Sequence, residues 1–283
     1  MGNMLLKKVD EVRSLVEQWR KQGLTVGYVP TMGALHEGHE SLIKKAVREN
    51  DKVIVSVFVN PTQFGPNEDY DSYPRNIEKD MELCENAGAC AVFNPEPSEM
   101  YFENKSTVIS VSGLTSVLCG AKRPGHFDGV CLVVTKFFNI VKPNRAYFGE
   151  KDAQQVAVLK RMVRDLSIDV EIVPCPIIRE EDGLAKSSRN TYLNVDERKA
   201  AVVLSRSLKI AKQLLDKGER NAAKIKDAII SEINTESLAK IDYVEIVDSE
   251  NLTDVSTIEK NILIPIAVYI GKTRLIDNFT YEV

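Results

Sequence analysis

Two histidines stand three residues apart in the stretch His-Glu-Gly-His at residues 36–39. An apolar run at residues 25–29 predicts a short buried strand before them, and apolar residues at helical spacing within 42–47 predict a helix after them. Backbone N–H groups and the positive end of the helix dipole gather at such a helix start and favour anions. Two imidazoles at the same end suit a phosphate ester better than a bare carboxylate. The stretch therefore predicts a site where a nucleotide is held and cut.

Two further clusters carry charge at the ends of predicted elements. Residues 149–152 (Gly-Glu-Lys-Asp) follow a predicted strand, where Lys151 could meet a phosphate and Asp152 could accept from ribose hydroxyls. The alternative is an ordinary charged helix start that Asp152 caps. Residues 186–189 (Lys-Ser-Ser-Arg) set two hydroxyls between two cations, which could wrap a triphosphate or form a solvated linker between domains.

Neutral amides follow a buried apolar strand. Residues 60–73 form a long polar loop, and loops of this length in compact domains are often functional. Gln63 in this loop and Gln155 carry amides suited to hydroxyl and carboxylate recognition, although a single glutamine is more typical of a surface. The third and last histidine of the chain, His126, shares another polar turn with Arg123.

The polar loops together gather many basic side chains, although the net charge of the chain is -4. These are His36, His39, Arg123, His126, Lys151, Lys186 and Arg189. A local cationic cleft on an anionic protein is typical of a site that takes an anionic nucleotide and a second anion. The negative net charge disfavours nonspecific binding of nucleic acid, which needs a basic surface.

Length and composition limit the class of protein. The 283 residues suffice for a real core in one large or two moderate domains. The five cysteines form no Cys-x-x-Cys pair, which indicates reduced thiols in a cytoplasmic protein and disfavours a zinc site. The longest apolar runs, residues 53–59 and 262–270, are too short to span a bilayer, and we expect no membrane partner.

Strands and helices alternate from residue 25 to about 178, which predicts a Rossmann-like, doubly wound parallel α/β sheet. Its strands are expected at residues 25–29, 52–59, 91–93, 107–111, 145–148 and 169–173. Ligands bind such sheets at the carboxyl ends of the strands, where the polar loops could converge.

The pattern changes after about residue 179. Helices are expected at residues 196–216 and 221–233, and strands at residues 241–247, 261–270 and 273–276. These elements predict a smaller α+β domain with an antiparallel sheet. We therefore expect two domains, residues 1–178 and residues 179–283, the second acting as a lid.

Five motifs follow one another along nearly the whole chain: residues 30–39 (PTMGALHEGH), 59–64 (VNPTQF), 123–127 (RPGHF), 148–152 (FGEKD) and 187–190 (SSRN). Together they resemble the pantothenate synthetase (pantoate–β-alanine ligase) family, nucleotidyltransferases that share a His-x-Gly-His turn with class I aminoacyl-tRNA synthetases. The resemblance implies a cytoplasmic homodimer in the pathway to coenzyme A.

The resemblance also implies a two-step ligation. ATP and (R)-pantoate would give pantoyl adenylate and pyrophosphate, and the amine of β-alanine would then attack the acyl carbon and release AMP. The catalytic positions match His39, His36 and Lys151, with His39 at the proton donor's position. ATP chemistry implies Mg²⁺, held mostly by phosphate oxygens and water, and the sequence does not fix its ligands.

The family's binding positions also transfer to this sequence. The implied ATP contacts are Met32, Gly33, Ala34, Leu35, His36, Glu37, Gly38, His39, Gly149, Glu150, Lys151, Asp152, Ile178, Lys186, Ser187, Ser188 and Arg189. Gln63 and Gln155 match pantoate contacts, with Gln63 also beside β-alanine, and the same cavity is expected to include Asn60, Arg123 and His126. Lys186 departs from the family's apolar residue, and it either strengthens the hold on the triphosphate or points to water.

Two other functions compete with this interpretation. A nucleotidyltransferase that joins AMP to a phosphate ester in cofactor synthesis would share the histidine turn but would not need Gln63, Gln155 or a lid. A nucleotide-sensing module would explain the glycines and the cations, but not two histidines at one helix start.

Overall fold

The computed structural model describes residues 3–66 and 68–283. Met1 and Gly2, at the start of the first expected domain, and Asn67, in the predicted polar loop, lie outside the described residues. The first part of the chain forms β1 (Met4–Leu6), α1 (Val9–Lys21), β2 (Val26–Thr31), α2 (Glu37–Glu49), β3 (Lys52–Val57), α3 (Ile77–Asn86), β4 (Ala91–Phe93), α4 (Pro97–Met100), α5 (Leu118–Lys122), α6 (His126–Val141), β5 (Arg145–Gly149), α7 (Ala153–Asp165) and β6 (Glu171–Cys175).

These six strands form one parallel sheet in the order β1-β4-β3-β2-β5-β6. The chain winds outward from β2 through β3 and β4, and then returns to place β5 and β6 on the other side of β2. Ligands bind doubly wound sheets at the carboxyl ends of the strands beside such a reversal. The turns that follow β2 and β5 are therefore neighbours, although more than 100 residues separate them in the chain.

Helices cover both faces of the sheet, which explains why its central strands are apolar on both sides. Tyr28 packs into a core with residues of α1, α6 and α7, whereas the adjacent Val29 faces a core built with α2 and α3. Successive residues of a strand point to opposite faces, so neighbouring side chains serve different cores. The predicted fold class is confirmed.

The remaining chain forms α8 (Val195–Ala200), α9 (Val203–Asp216), α10 (Ala222–Ile233), β7 (Ala239–Val244), β8 (Val247–Asp248), β9 (Ile262–Ile270) and β10 (Thr273–Tyr281). Its antiparallel sheet has the order β10-β9-β7, with β8 paired to β9. Leu204, Ile225 and Ile264 belong to its own core, but Val247 and Leu263 join a core of the parallel sheet. The two sheets therefore share part of their packing.

Three predicted elements differ from the structure and one strand was missed. The strand expected at residues 241–247 is divided into β7 and β8, and residues 245–246 belong to neither. Residues 107–111 form no strand, because no other strand within the described residues pairs with them. The helix expected at 196–216 is divided into α8 and α9, since Val202 and Leu204 donate to carbonyls only three residues back. β1 was not predicted because three residues are too few to show a pattern.

No helix in residues 3–66 and 68–283 is long and apolar enough to cross a membrane.

Candidate active site

The two histidines follow a tight turn after β2, and hydrogen bonds from this turn to a buried carboxylate stabilise it. Gly33 adopts a φ of 84°, which the absence of a Cβ makes accessible. The backbone N–H groups of Ala34 and Leu35 donate to Asp80 of α3 at 3.1 and 2.8 Å. Asp80 is 2% exposed, and burial raises the pKa of its carboxyl. Sequence reasoning missed Asp80, because nothing in the pattern of α3 distinguishes it from a surface acid.

The two histidines cap α2 with their ring nitrogens. His36 is the residue just before the helix, and its Nδ1 accepts from the N–H of Gly38 at 3.1 Å. The Nδ1 of His39 in turn accepts from the N–H of His36 at 3.3 Å. A neutral imidazole that accepts at Nδ1 carries its proton on Nε2, so both rings retain an Nε2–H donor. The ring centroids lie 4.2 Å apart.

Gly38 lies against the imidazole ring of His36. A Cβ at this position would lie 2.8 Å from the imidazole of His36. The glycine therefore gives the capping ring the space to lie over the first turn of the helix.

Both histidines are neutral near pH 7. Burial lowers the pKa of His36 to about 4, with further lowering by Lys151 and Lys186. Burial lowers the pKa of His39 to about 3, helped by His36 and Lys151. The pair therefore offers two uncharged N–H donors, and the positive charge beside it comes from the lysines.

Several backbone N–H groups that were expected to be free for an anion are engaged within the chain. The N–H groups of five residues in the turn donate to side chains of the chain itself, namely Gly33, Ala34, Leu35, His36 and Gly38. The Nε2–H groups of the two imidazole rings add side-chain donors at the same turn.

The turn after β5 carries Lys151. Glu150–Asp152 form a single turn of 3₁₀ helix, and the Lys151 ammonium lies 3.8 Å from a carboxylate oxygen of Asp152. Asp152 precedes α7 but its side chain caps no N–H of that helix, so the ordinary capping alternative does not describe it. A Cβ on Gly149 would meet nothing within 4 Å, which leaves open space beside this turn.

The serine-rich segment touches the histidine turn directly. Ser187 caps a 3₁₀ helix (Ser188–Tyr192), and the Ser188 hydroxyl donates to the carbonyl of Ala34 at 3.2 Å. The Lys186 ammonium donates to Glu180 at 2.9 Å and also pairs with Glu37. Its side chain is 16% exposed, so it does not extend freely into water.

An amide network organises the loop after β3. Asn60 is 1% exposed, and its Nδ2 donates to the Gln63 side-chain oxygen at 3.0 Å and to the Gly129 carbonyl at 3.2 Å. Tyr101, which sequence reasoning missed, donates to the Asn60 Oδ1 at 2.8 Å. The Gln63 amide also contacts the sulfur of Met32 at 3.1 Å. This network fixes Gln63 against the histidine turn.

Gly129 lets this loop lie directly on α6. A Cβ at Gly129 would overlap the carbonyl oxygen of Thr62. The backbone of the loop therefore packs against the start of α6, next to His126.

Arg123 and His126 hold the other side of the same loop. The guanidinium of Arg123 contacts Nε2 of His126 at 3.0 Å, and Nδ1 of His126 lies 2.8 Å from the carbonyl of Gln63. Because an arginine can only donate, His126 accepts at Nε2 and donates from Nδ1. Burial and Arg123 lower the pKa of His126 to about 4.

Acidic partners neutralise much of the expected cationic cleft. Arg123 pairs with Glu68 at 2.5 and 2.6 Å, and Arg189 pairs with Asp69 at 2.8 and 3.1 Å. Burial alone would raise the pKa values of these carboxyls, but the arginines outweigh it and lower them. The two acids escaped prediction, although they lie in the loop that the sequence indicated as functional.

The predicted residues meet around one hollow of about 230 Å³. It is lined by His36, His39, Met32, Gly38, Gly149, Lys151, Asp152, Ile178, Lys186, Ser187, Ser188, Arg189, Asn60, Gln63, Gln155, Arg123 and His126. It adjoins a cleft of about 650 Å³ between the two sheets, and Lys151, Gln155 and Arg189 line both. Five predicted contacts line neither space, namely Gly33, Ala34, Leu35, Glu37 and Glu150.

Comparison with known proteins places these features in one family. The family model described as Pantoate-beta-alanine ligase matches residues 4–280. Proteins named Pantothenate synthetase from Clostridium acetobutylicum and Clostridioides difficile are 65% and 66% identical over 279 residues, with 99% of each chain covered.

Solved structures agree with the sequence relatives. The pantothenate synthetase of Thermus thermophilus has a TM-score of 0.93 at 44% identity, covering 98% of both chains. The pantoate-beta-alanine ligase of Francisella tularensis, described as complexed with beta-gamma ATP and beta-alanine, has a TM-score of 0.80 at 37% identity and covers 98% of this chain and 97% of that one. The chain therefore belongs to the pantoate-beta-alanine ligase family.

Proposed function

We propose that this protein joins (R)-pantoate to β-alanine at the expense of ATP, through a pantoyl-adenylate intermediate. Membership of the family supports this function, as do the nucleotide and β-alanine with which the Francisella tularensis ligase is complexed. The observation that carries the proposal is the hollow itself. It sets two imidazole donors and an ammonium group beside two neutral amides, those of Gln63 and Gln155.

The first step is attack of the pantoate carboxylate on the α-phosphorus of ATP. A bond forms between the carboxylate oxygen and phosphorus, and the bond from that phosphorus to the bridging oxygen of pyrophosphate breaks. The Nε2–H donors of His36 and His39 and the charge of Lys151 stabilise the negative charge that develops on the phosphates. Because these donors are fixed before the reaction, little reorganisation is needed.

The second step is attack of the β-alanine amine on the acyl carbon. A carbon–nitrogen bond forms, the bond between that carbon and the oxygen of AMP breaks, and the amine loses a proton. Gln63 and Gln155 would orient pantoate through its hydroxyls, and Gln63 would also lie beside β-alanine. Asn60, Arg123 and His126 would support this side of the cavity.

ATP would be held by the residues of the histidine turn and of the two segments that face it. Gly149 leaves space beside the turn after β5, and Ser187, Ser188 and Arg189 approach from the opposite side. Ile178, Asp152 and Lys186 complete this proposed nucleotide site. The proposed contribution of five residues that line neither space is to shape the two turns around ATP, namely Gly33, Ala34, Leu35, Glu37 and Glu150.

Mg²⁺ is proposed from the chemistry of ATP alone. The residues that the structure describes bring together no group of three His, Cys, Asp or Glu side chains that could hold a metal. A magnesium ion entering with ATP would be held mostly by phosphate oxygens and water.

We also propose a division at residue 178, with residues 179–283 acting as a lid over the cleft between the sheets. The protein would work in the cytoplasm as a homodimer. Its five cysteines are all unpaired thiols, as expected for a reducing compartment. The exposed segment with Phe102 and Val108, which are 74% and 70% exposed, is the proposed contact with a second copy.

Isotope exchange between pyrophosphate and ATP tests the proposed function. Exchange should require pantoate and no β-alanine, whereas release of AMP should require both substrates. Exchange supported by 4′-phosphopantetheine and not by pantoate would favour the alternative nucleotidyltransferase. Absence of turnover with either acceptor would favour a nucleotide sensor.

A further inference from the structure

One buried amide connects the antiparallel sheet to the turn that carries Lys151. Asn278 of β10 is 4% exposed. Its Nδ2 donates to the carbonyl of Glu150 at 3.0 Å and to the carbonyl of Lys151 at 2.9 Å. An amide nitrogen has two hydrogens, and both are used on this turn.

Further hydrogen bonds fix the amide in turn. The backbone N–H of Asn278 donates to Asp277 at 2.8 Å, and Asp277 is 2% exposed. Arg179 binds both carboxylate oxygens of Asp277, at 2.6 and 2.9 Å, and also donates to the carbonyl of Gly183 at 3.0 Å. Paired, bidentate contacts of this kind constrain orientation as well as distance.

This network holds the turn from β10, along the cleft that Lys151, Asp277 and Asn278 line together. Gly149 lines the hollow, and a Cβ at this position would meet nothing within 4 Å, so no packing at Gly149 itself holds the turn. The Asn278 amide therefore binds two successive backbone carbonyls at the residue that carries the ammonium group.

We propose that Asn278 is a positioning residue that fixes Lys151 for adenylate formation, so that part of the catalytic geometry is built by the C-terminal sheet. This inference rests on the proposed function. Asn278 acts through the backbone of Glu150 and Lys151 and does not touch the reacting atoms. A displacement of about 1 Å at a catalytic group can cost on the order of 100-fold in rate.

A double-mutant cycle with Lys151 separates positioning from general stability. We expect Asn278→Ala to lower kcat for pantoate-dependent pyrophosphate release by roughly 10- to 100-fold. Asn278→Asp should lower kcat further, because it places carboxylate oxygens against the two backbone carbonyls that now accept hydrogen bonds. In the Lys151→Ala background, Asn278→Ala should lower kcat by less than about 2-fold, because the ammonium group that Asn278 positions is already absent.

A second readout does not depend on catalysis. The charge of Lys151 contributes to the low pKa of His36 and His39. In NMR titrations, Asn278→Ala and Lys151→Ala should therefore both raise the pKa of His36. The control is Asn221→Ala, which removes an N-cap of α10 in the same part of the chain without touching the turn. It should lower stability and leave kcat and the histidine titrations unchanged.

Three results would overturn the inference: full additivity of the Asn278 and Lys151 effects, normal kinetics of Asn278→Ala, or a His36 titration that Asn278→Ala does not move. If the unmodified protein releases no pyrophosphate with pantoate, the proposed function fails instead. The histidine titrations still test the positioning of Lys151 in that case.

Discussion

At the scale of single residues, each imidazole of the pair has two separate tasks. Nδ1 of His39 accepts a backbone hydrogen bond at the start of α2, and its Nε2–H is the donor that we propose for the phosphates of ATP. Asparagine can place a polar group near the position of Nδ1, whereas glutamine reaches the position of Nε2. Substitutions can therefore separate the structural task from the chemical one.

We predict that His39→Ala remains folded and loses on the order of 100-fold or more in adenylate formation. His39→Gln should retain more activity than His39→Asn, because only glutamine can return a donor near Nε2. His39→Asn should retain more stability, since a lost cap costs about 1 kcal/mol. Pyrophosphate release and urea unfolding measure the two quantities. Near-normal pyrophosphate release by folded His39→Ala would remove the role assigned to this residue.

The low pKa values of the histidines predict a loss of stability in mild acid. The folded-state pKa is about 4 for His36, about 3 for His39 and about 4 for His126, against 6.5 unperturbed. Below about pH 6.5 these histidines become protonated in the unfolded chain but stay neutral in the folded protein, so protonation favours the unfolded state. The free energy of unfolding should therefore fall by roughly 1 kcal/mol per histidine down to pH 5, allowing for partial exposure.

Urea unfolding between pH 7.5 and 5 measures this loss, and NMR of the three imidazoles assigns it. Because the donors stay neutral, pyrophosphate release should show no histidine-dependent decline near pH 6.5. A histidine of the pair that titrates near 6.5 in the folded protein would contradict the neutral-donor description.

At the scale of elements, the loop after β3 supplies the counterions of the site. Glu68 and Asp69 bind the two arginines that were expected to face anionic ligands. An anionic ligand must compete with these carboxylates, so the arginines alone are weaker anion sites than their charge suggests. The loop thereby couples the amide network around Asn60 to the serine-rich segment.

Substitution of Lys186 tests how much its positive charge contributes to nucleotide binding. Its ammonium is shared between Glu180 and Glu37, and these carboxylates raise its pKa. We predict that Lys186→Met raises the Michaelis constant for ATP several-fold at low salt and less at high salt, because salt screens partly exposed charges. Lys199→Met, at an exposed lysine of α8, is the control. No change at either salt concentration would refute a role in binding the triphosphate.

At the scale of the whole molecule, local patterns predicted the strand–turn–helix units but not what holds them together. The turns at residues 36–39 and 149–152 could be placed at one sheet edge, because apolar runs and helical spacing are local signals. The contacts of Asp80 and Asn278 could not be predicted. Each depends on a partner distant in sequence, which nothing near these residues reveals.

Dependence on partners distant in sequence also explains the strand that was wrongly predicted and the ion pairs that were not expected. Residues 107–111 have strand-like composition, but a strand needs a neighbour, and the described chain supplies none. The cations of the cleft were visible in the sequence, whereas their pairing with Glu68 and Asp69 depends on how the loop folds back.

We predict that the exposed segment around Val108 forms the dimer contact. The unmodified protein should have about twice the chain mass of 31.6 kDa in light scattering after size exclusion, and Val108→Asp should shift it toward a single chain. Val195→Asp is a matched control, because Val195 of α8 is 72% exposed and Val108 is 70% exposed. A monomeric unmodified protein, or equal effects of both substitutions, would refute this contact.

The central claim is that ATP activates the carboxylate of pantoate in this pocket. The most direct test follows a carboxylate oxygen of pantoate into the products. Pantoate labelled with ¹⁸O at both carboxylate oxygens is converted with ATP and β-alanine, and the phosphorus products are analysed by mass spectrometry. The oxygen that attacks the α-phosphorus stays with AMP when the amine attacks the acyl carbon, so we predict one ¹⁸O in each AMP released. AMP without the label, or label in orthophosphate or pyrophosphate, would contradict the adenylate mechanism.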